Sequence, residues 1–157
     1  MINQAVSADL PLARLKALHA ELNILLEQLH ASTARDVPDR DRLAGIRLSL
    51  TKASRKRTNL LHIEVYGLAL AIADPAERAR IEELQEQDSR RLLYSSDHIN
   101  SWTLARIESD WTGYRQASFA MRARMRRRIA AEERALYRVL ERVESGQRGS
   151  RSSAIAH

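Results

Sequence analysis

Residues Trp111 to Val143 read WTGYRQASFAMRARMRRRIAAEERALYRVLERV, and their small and apolar positions step by three and four: Trp111, Tyr114, Ser118, Met121, Met125, then Leu136, Val139 and Val143. That spacing is the stripe of an amphipathic helix with one buried face. Carried through the middle, the same steps place Arg128 and Glu132 on the stripe, one turn apart, between Met125 and Leu136. The helix is therefore expected to bury a charged pair where the pattern asks for leucine. The rest of the chain reads as what surrounds that pair.

Outward from this helix, three more stretches carry the same period. The first starts at Asp9 or Pro11, with Asp9 as the cap candidate, and runs through Leu12, Leu15, Leu18, Leu22, Leu25, Leu26 and Leu29 with His19 on the inward side. His30 falls at its end. After the polar ASTARDVPD, a second helix begins near Asp39 and extends to about Ala73, with Leu43, Ile46, Leu50, Ala53, Arg57, Leu60, Leu61, Glu64, Leu68 and Ile72 inward. Arg57 interrupts this stripe as Arg128 interrupts the last one, and His62 lies on its flank. Asp74-Pro75-Ala76-Glu77 has the form of a capping box with proline at the first helical position. The third helix follows with Ile81, Leu84, Asp88, Leu92, Ser95, Ile99 and Trp102 on one face and a break near Glu108 to Asp110. Asp110 caps the last helix.

The expected fold is all-α: an antiparallel up-down-up-down four-helix bundle over residues 10–144, after a loose leader at 1–9 and before a disordered Gly/Ser/Arg-rich tail at 145–157. A weak internal echo supports pairing the second helix with the fourth. Arg55-Lys56-Arg57 precedes TNLLHIEVYGLAL as Arg126-Arg127-Arg128 precedes IAAEERALYRVL.

Composition narrows the function. The chain has 157 residues, enough for one domain with a proper core, and its five Gly and three Pro suit a helical protein. It has no cysteine, which removes disulfides and thiolate metal sites from consideration. No apolar run is long enough for a membrane span, and MINQAVSADLP has no basic-then-apolar signal pattern, so the expected location is cytoplasmic, with no membrane role. The net charge of +6 points weakly to an anionic partner. Much of that charge alternates with Glu and Asp, as in AERARIEE, where it forms solvated i,i+4 pairs. Arg115, Arg122 and Arg126 share a side of the last helix and form a candidate basic patch, but no nucleic-acid-reading module accompanies it. There is no phosphate loop, nucleophile elbow or HExxH motif, and the expectation is a non-enzyme.

In places the chain resembles hemerythrin-like domains. RIAAEERALYRVL resembles their last helix, ADPAERARIEELQEQDSRRLL the third helix with its cap, LARLKALHAELNILLEQL the first, and VYGLAL the end of the second. The resemblance implies a bundle around two non-haem irons held by histidines and carboxylates, for binding or sensing oxygen, nitric oxide or redox state. It places His19 at an intact ligand position and Arg57 at the second-helix histidine, with Leu61 at the bridging glutamate. A rival register, one helical turn shifted, puts His62 and Tyr66 there instead. Asp88 and Arg128 stand where the third and fourth helices carry histidine, and Glu132 and Glu133 remain.

Arginine is always protonated and has no lone pair to give a metal. The expectation is that Arg57 and Arg128 occupy the space of the irons, hydrogen-bonded to Asp88 and Glu132, with His19 completing a salt-bridged core and no cofactor. The function expected of such a core is a regulatory or protein-interaction module, with a protein partner or a second copy of the chain. The alternative is a retained non-haem iron site on His19, His62, Asp88, Glu132 and Glu133. A basic nucleic-acid adaptor is the third reading. Tyr66 and Tyr137 are read as fillers of packing gaps, and Trp102 and Trp111 as staples between helices.

Overall fold

A computed structural model describes residues 9–155, with the backbone alone at Ser89 and residues 92–96. The described residues form an all-α structure with no strand. Helix α1 spans Pro11–Thr33 and α2 spans Arg40–Leu60. A π-helical turn, Leu61–Val65, joins α2 to α3, Tyr66–Ile72, in one continuous rod. Helix α4 is Pro75–Ser101, α5 is the short Leu104–Ser109, and α6 is Trp111–Ala154. The α1 helix lies along α2 and α6, and α3, α4 and α5 also pack on α6, which is thus the shared element of the core. No described helix is long and apolar enough to cross a membrane.

The helix starts are fixed by side chains that take up the first free backbone N–H groups. Asp39 accepts from Arg42 N–H at 3.1 Å, Thr103 from Arg106 N–H at 3.2 Å, and Asp110 from Gly113 N–H at 2.9 Å. The Asp110 carboxylate lies so close to Gly113 that a Cβ there would collide with it. At α4 the capping box forms: Asp74 accepts from Glu77 N–H at 2.7 Å, and Glu77 accepts from Asp74 N–H at 3.1 Å. Arg142 also grips Glu77, and these hydrogen bonds hold that carboxyl down at about 2. Helix α1 departs from the expectation. Leu10 is its N-cap and gives no side-chain bond, so Asp9 is not the cap; Leu12 N–H donates instead to Glu144, from α6, at 3.2 Å.

Two apolar clusters make the core. One gathers Leu12, Leu15, Leu60, Leu61, Val65, Ala69, Ile81, Leu84, Leu136 and Leu140. The other gathers Leu22, Leu26, Leu29, Leu43, Leu50, Trp102, Ile107, Tyr114 and Ile129. The inward charges stand at the switch from one cluster to the other. His19 lies between Leu15 and Leu22, Arg57 between Ala53 and Leu60, and Glu132 between Ile129 and Leu136.

Four local expectations are corrected. The inward line of the second helix does not continue through Glu64, Leu68 and Ile72. Val65, Tyr66 and Ala69 are buried instead, while Ile72 is 45% exposed. In the π-helical turn, Tyr66 N–H reaches back five residues to Leu61 O, which inserts one residue and sets every later side chain back by about 100°, so that Val65 and Ala69 take the inward places of Glu64 and Leu68. On α4, Ile81, Leu84 and Asp88 are buried but Ile99 is exposed, and the helix stops at Ser101 before a separate α5. Leu92 and Ser95, assigned to the same face, have side chains outside the described residues. Arg122 is buried, so Arg115, Arg122 and Arg126 are not one surface patch. Finally, α6 runs to Ala154, through most of the stretch expected as a disordered tail, with exposed side chains from Ser145 onward. The leader expected at 1–9 lies, apart from Asp9, outside the described residues.

Trp102 is buried and meets Tyr114 edge-on with ring centroids 5.6 Å apart, under the Arg106 guanidinium. Trp111 Nε1 donates to Arg35 O at 3.0 Å, tying the start of α6 to the end of α1.

A buried ion network as the candidate functional site

Arg128 is the largest fully buried side chain among the described residues, 1% exposed, and its position on the α6 stripe aims the guanidinium between α3 and α4. Nε donates to Glu132 Oε1 at 2.7 Å, one turn along the same helix. Nη2 donates to Asp88 Oδ1, to Leu84 O at 3.1 Å and to the Tyr66 hydroxyl at 3.1 Å. One guanidinium therefore spans two carboxylates from different helices. Its planar fork allows what a lysine ammonium could not do with the same reach.

Glu132 is fully buried and is held from its other side by His19, whose Nε2 donates to Oε2 at 2.7 Å. A carboxylate can only accept here, which fixes the donor. The second ring nitrogen, Nδ1, stands 2.6 Å from the Tyr137 hydroxyl, and the two rings stack. Arg57 Nε lies 3.8 Å from Glu132 Oε1. That is beyond hydrogen-bond reach, so Arg57 acts on Glu132 through charge rather than a directed bond. On the α4 side, Asp88 Oδ2 accepts from the Tyr66 hydroxyl at 2.8 Å and lies 3.2 Å from His62 Nε2.

The electrostatics follow from these contacts. Burial pushes Glu132 up, but the hydrogen bond from His19 and the charges of Arg57 and Arg128 outweigh it and leave its carboxyl below the usual carboxylate range. Burial, then the hydrogen bond to Asp88, pushes the Tyr66 hydroxyl well above the ordinary tyrosine value. Burial, then the charges of Glu133 and Glu132, pushes Tyr137 up to about 12. Burial and the nearby Arg128 lower Arg91, at the margin of the network.

The structure thus brings His19, Arg57, Asp88, Arg128 and Glu132 together. It also brings in His62, so the two rival positions on the second helix both reach the network. In a regular α-helix Arg57 and His62, five residues apart, would diverge by about 140°. Arg57, ahead of the π-helical turn, faces Glu132, while His62 within the turn and Tyr66 just after it face Asp88, so the two residues reach the network through different carboxylates. Glu133, the remaining residue of the alternative metal set, is exposed and stays outside. Tyr137, read as a filler of a packing gap, and Tyr66, read as a filler or, in the rival register, as the residue at the bridging-glutamate position, are members as well: each puts its hydroxyl into the network. The signal in the sequence was their spacing from charged stripe positions: Tyr137 lies five residues after Glu132, on the flank that faces His19.

No family model, curated protein or solved structure matches this chain. The question of iron therefore rests on the donor set. Both oxygens of Glu132 and both of Asp88 already face cations, imidazoles or a hydroxyl, and a protonated guanidinium stands between the two carboxylates. Among the described residues, no three His, Asp or Glu side chains are grouped to hold a metal ion. Such a set does not fit a pair of irons, which need converging lone pairs and no competing cation.

Tyr66 offers a test of the network that leaves its charges in place. Tyr66→Phe removes a donor to Asp88 and an acceptor for Arg128 with little change in volume. We expect a loss of about 1–3 kcal/mol in urea unfolding. A change near zero would mean that the hydroxyl contributes nothing to holding Asp88.

Proposed function

We propose that this chain is a hemerythrin-like four-helix bundle, up-down-up-down in layout, in which an internal ion network has taken the place of the metal centre. Its role is non-catalytic: a regulatory or protein-interaction module whose charged core sets the relative positions of the helices. The observation that carries the reading is the Arg128 guanidinium bonded at once to Asp88 and Glu132. In this reading Arg128 supplies from within the chain the positive charge that a metal would supply from outside.

The polar core favours one helix register over others, because any slip leaves a buried charge unpaired, at several kcal/mol. A bundle with a uniquely fixed register presents a fixed surface, which is what a partner-binding module requires. The deciding experiment is metal analysis of protein purified without chelator, together with its near-ultraviolet and visible spectrum. The expected result is iron far below one equivalent and no ligand-to-metal absorption. Stoichiometric iron would overturn the proposal.

A further inference from the structure

Away from the ion network, the end of α1 and the first half of α6 enclose a surface cleft of about 410 Å³ lined by His30, Thr33, Arg115, Gln116, Phe119 and Arg122. Its volume falls in the range of small-molecule sites. Three features of its lining call for an occupant of definite chemistry.

The first is Arg122, which is only 8% exposed. Its described hydrogen-bond partner is uncharged: Nη1 donates to His30 Nδ1 at 2.7 Å. Its Nε is buried with no described hydrogen-bond partner. A guanidinium carries five N–H donors and, when buried, calls for an anion. None of the described carboxylates lies within ion-pair distance of it. Glu27, the one carboxylate that acts on it electrostatically, is already held by Arg126. The second feature is Arg115, exposed on the rim, which makes no hydrogen bond or ion pair with any described residue. The third is Phe119, 67% exposed, with its ring centroid 5.9 Å from the Arg122 guanidinium carbon. The Phe119 ring lies within cation–π range of the guanidinium, and together they set an apolar face beside a buried cation whose Nε has no described partner.

We propose that this cleft binds a small organic acid: a carboxylate held by Arg122 and Arg115, attached to an apolar or aromatic group that covers Phe119. The planar fork of Arg122 matches a carboxylate's two oxygens, with Arg115 adding charge from the rim. Phe119 supplies the apolar wall, and Gln116 and His30 flank the anion.

Benzoate is the probe, titrated into the full chain with amide chemical shifts as the readout. Saturable shifts are expected at residues of the cleft, with a dissociation constant on the order of 1 mM, as fits a ligand of this size. Benzamide, of the same shape without the charge, is expected to produce none. Arg115→Gln and Phe119→Ala, both at exposed positions that leave the fold intact, are each expected to weaken benzoate at least about threefold. Arg122→Gln is expected to abolish binding, and if that variant does not fold, the two exposed variants decide the question. Absence of saturable shifts up to about 10 mM benzoate, equal binding of benzamide, or undiminished binding in both exposed variants would overturn the proposal. Inorganic phosphate binding more tightly than benzoate would also overturn it, by showing a bare oxyanion site with no use for the apolar wall.

Discussion

Arg128→Leu lowers the unfolding free energy by about 3–5 kcal/mol. Leucine fits the stripe of α6 better than arginine does, so hydrophobic pattern alone would predict a gain. The loss comes from what stays behind. Glu132 is fully buried and Asp88 nearly so, and without Arg128 each loses its shortest cationic partner. Arg57, at 3.8 Å from Glu132, does not replace it. Urea unfolding followed by helical circular dichroism measures the change. A loss below about 0.5 kcal/mol, the level of a surface substitution, would mean that the guanidinium is not part of a buried network.

The companion variant separates the value of the network from the cost of breaking it. Arg57→Met, Asp88→Leu, Arg128→Met and Glu132→Leu introduced together leave no buried charge without a partner. Its stability is expected to return to within about 2 kcal/mol of the wild type or to exceed it. The existing network is not fully satisfied, since Arg57 Nε and Nη1 and Arg128 Nη1 have no described hydrogen-bond partner. The variant removes those groups, but it leaves the Tyr66 hydroxyl and His19 Nε2 without Asp88, Arg128 and Glu132, a cost that works against the gain. If the fourfold variant recovers stability but loses uniform packing, seen as broadened amide spectra, the network's contribution is specificity of register rather than stability.

The second large effect is loss of stability in acid, centred on Glu132. Its carboxyl titrates below the ordinary 4.5 because the His19 hydrogen bond and the Arg57 and Arg128 charges outweigh burial. A carboxyl depressed in the folded state contributes stability that is fully present above its unfolded value. That contribution is lost as pH falls through the folded value. Unfolding free energy is therefore expected to be level with respect to this group above about pH 6 and to fall steadily below 4.5. Glu132→Gln, less stable at neutral pH, is expected to show a shallower fall, so the two curves converge in acid. Carboxyl-carbon NMR of Glu132 gives the check at the residue itself. A midpoint above 4.5 would mean that burial wins and that the network does not hold the charge.

The sequence by itself determined that the chain is helical and which residues would be drawn inward together. The three-and-four spacing of leucines, the paucity of Gly and Pro, and the cap at Asp74 are local properties, readable because helix geometry repeats within a few residues. Arg128, Glu132, Asp88, Arg57 and His19 stood out for the same reason: each breaks an apolar stripe at a definite phase, and the structure places them in contact. Phase within a helix says nothing about an inserted residue. The π-helical turn at Leu61–Val65 shifted the second half of that rod and buried Tyr66, so that His62 and Tyr66 meet Asp88 while Arg57, ahead of the turn, meets Glu132. Only tertiary structure decided that, because the energy gained by seating Tyr66 against Asp88 and Arg128 comes from α4 and α6, far away in the chain. The burial of Arg122 against His30, and the cap that Glu144 gives α1, are likewise long-range contacts. Periodicity reports which face of a helix turns inward, whereas the partners a side chain meets there depend on how separate helices dock.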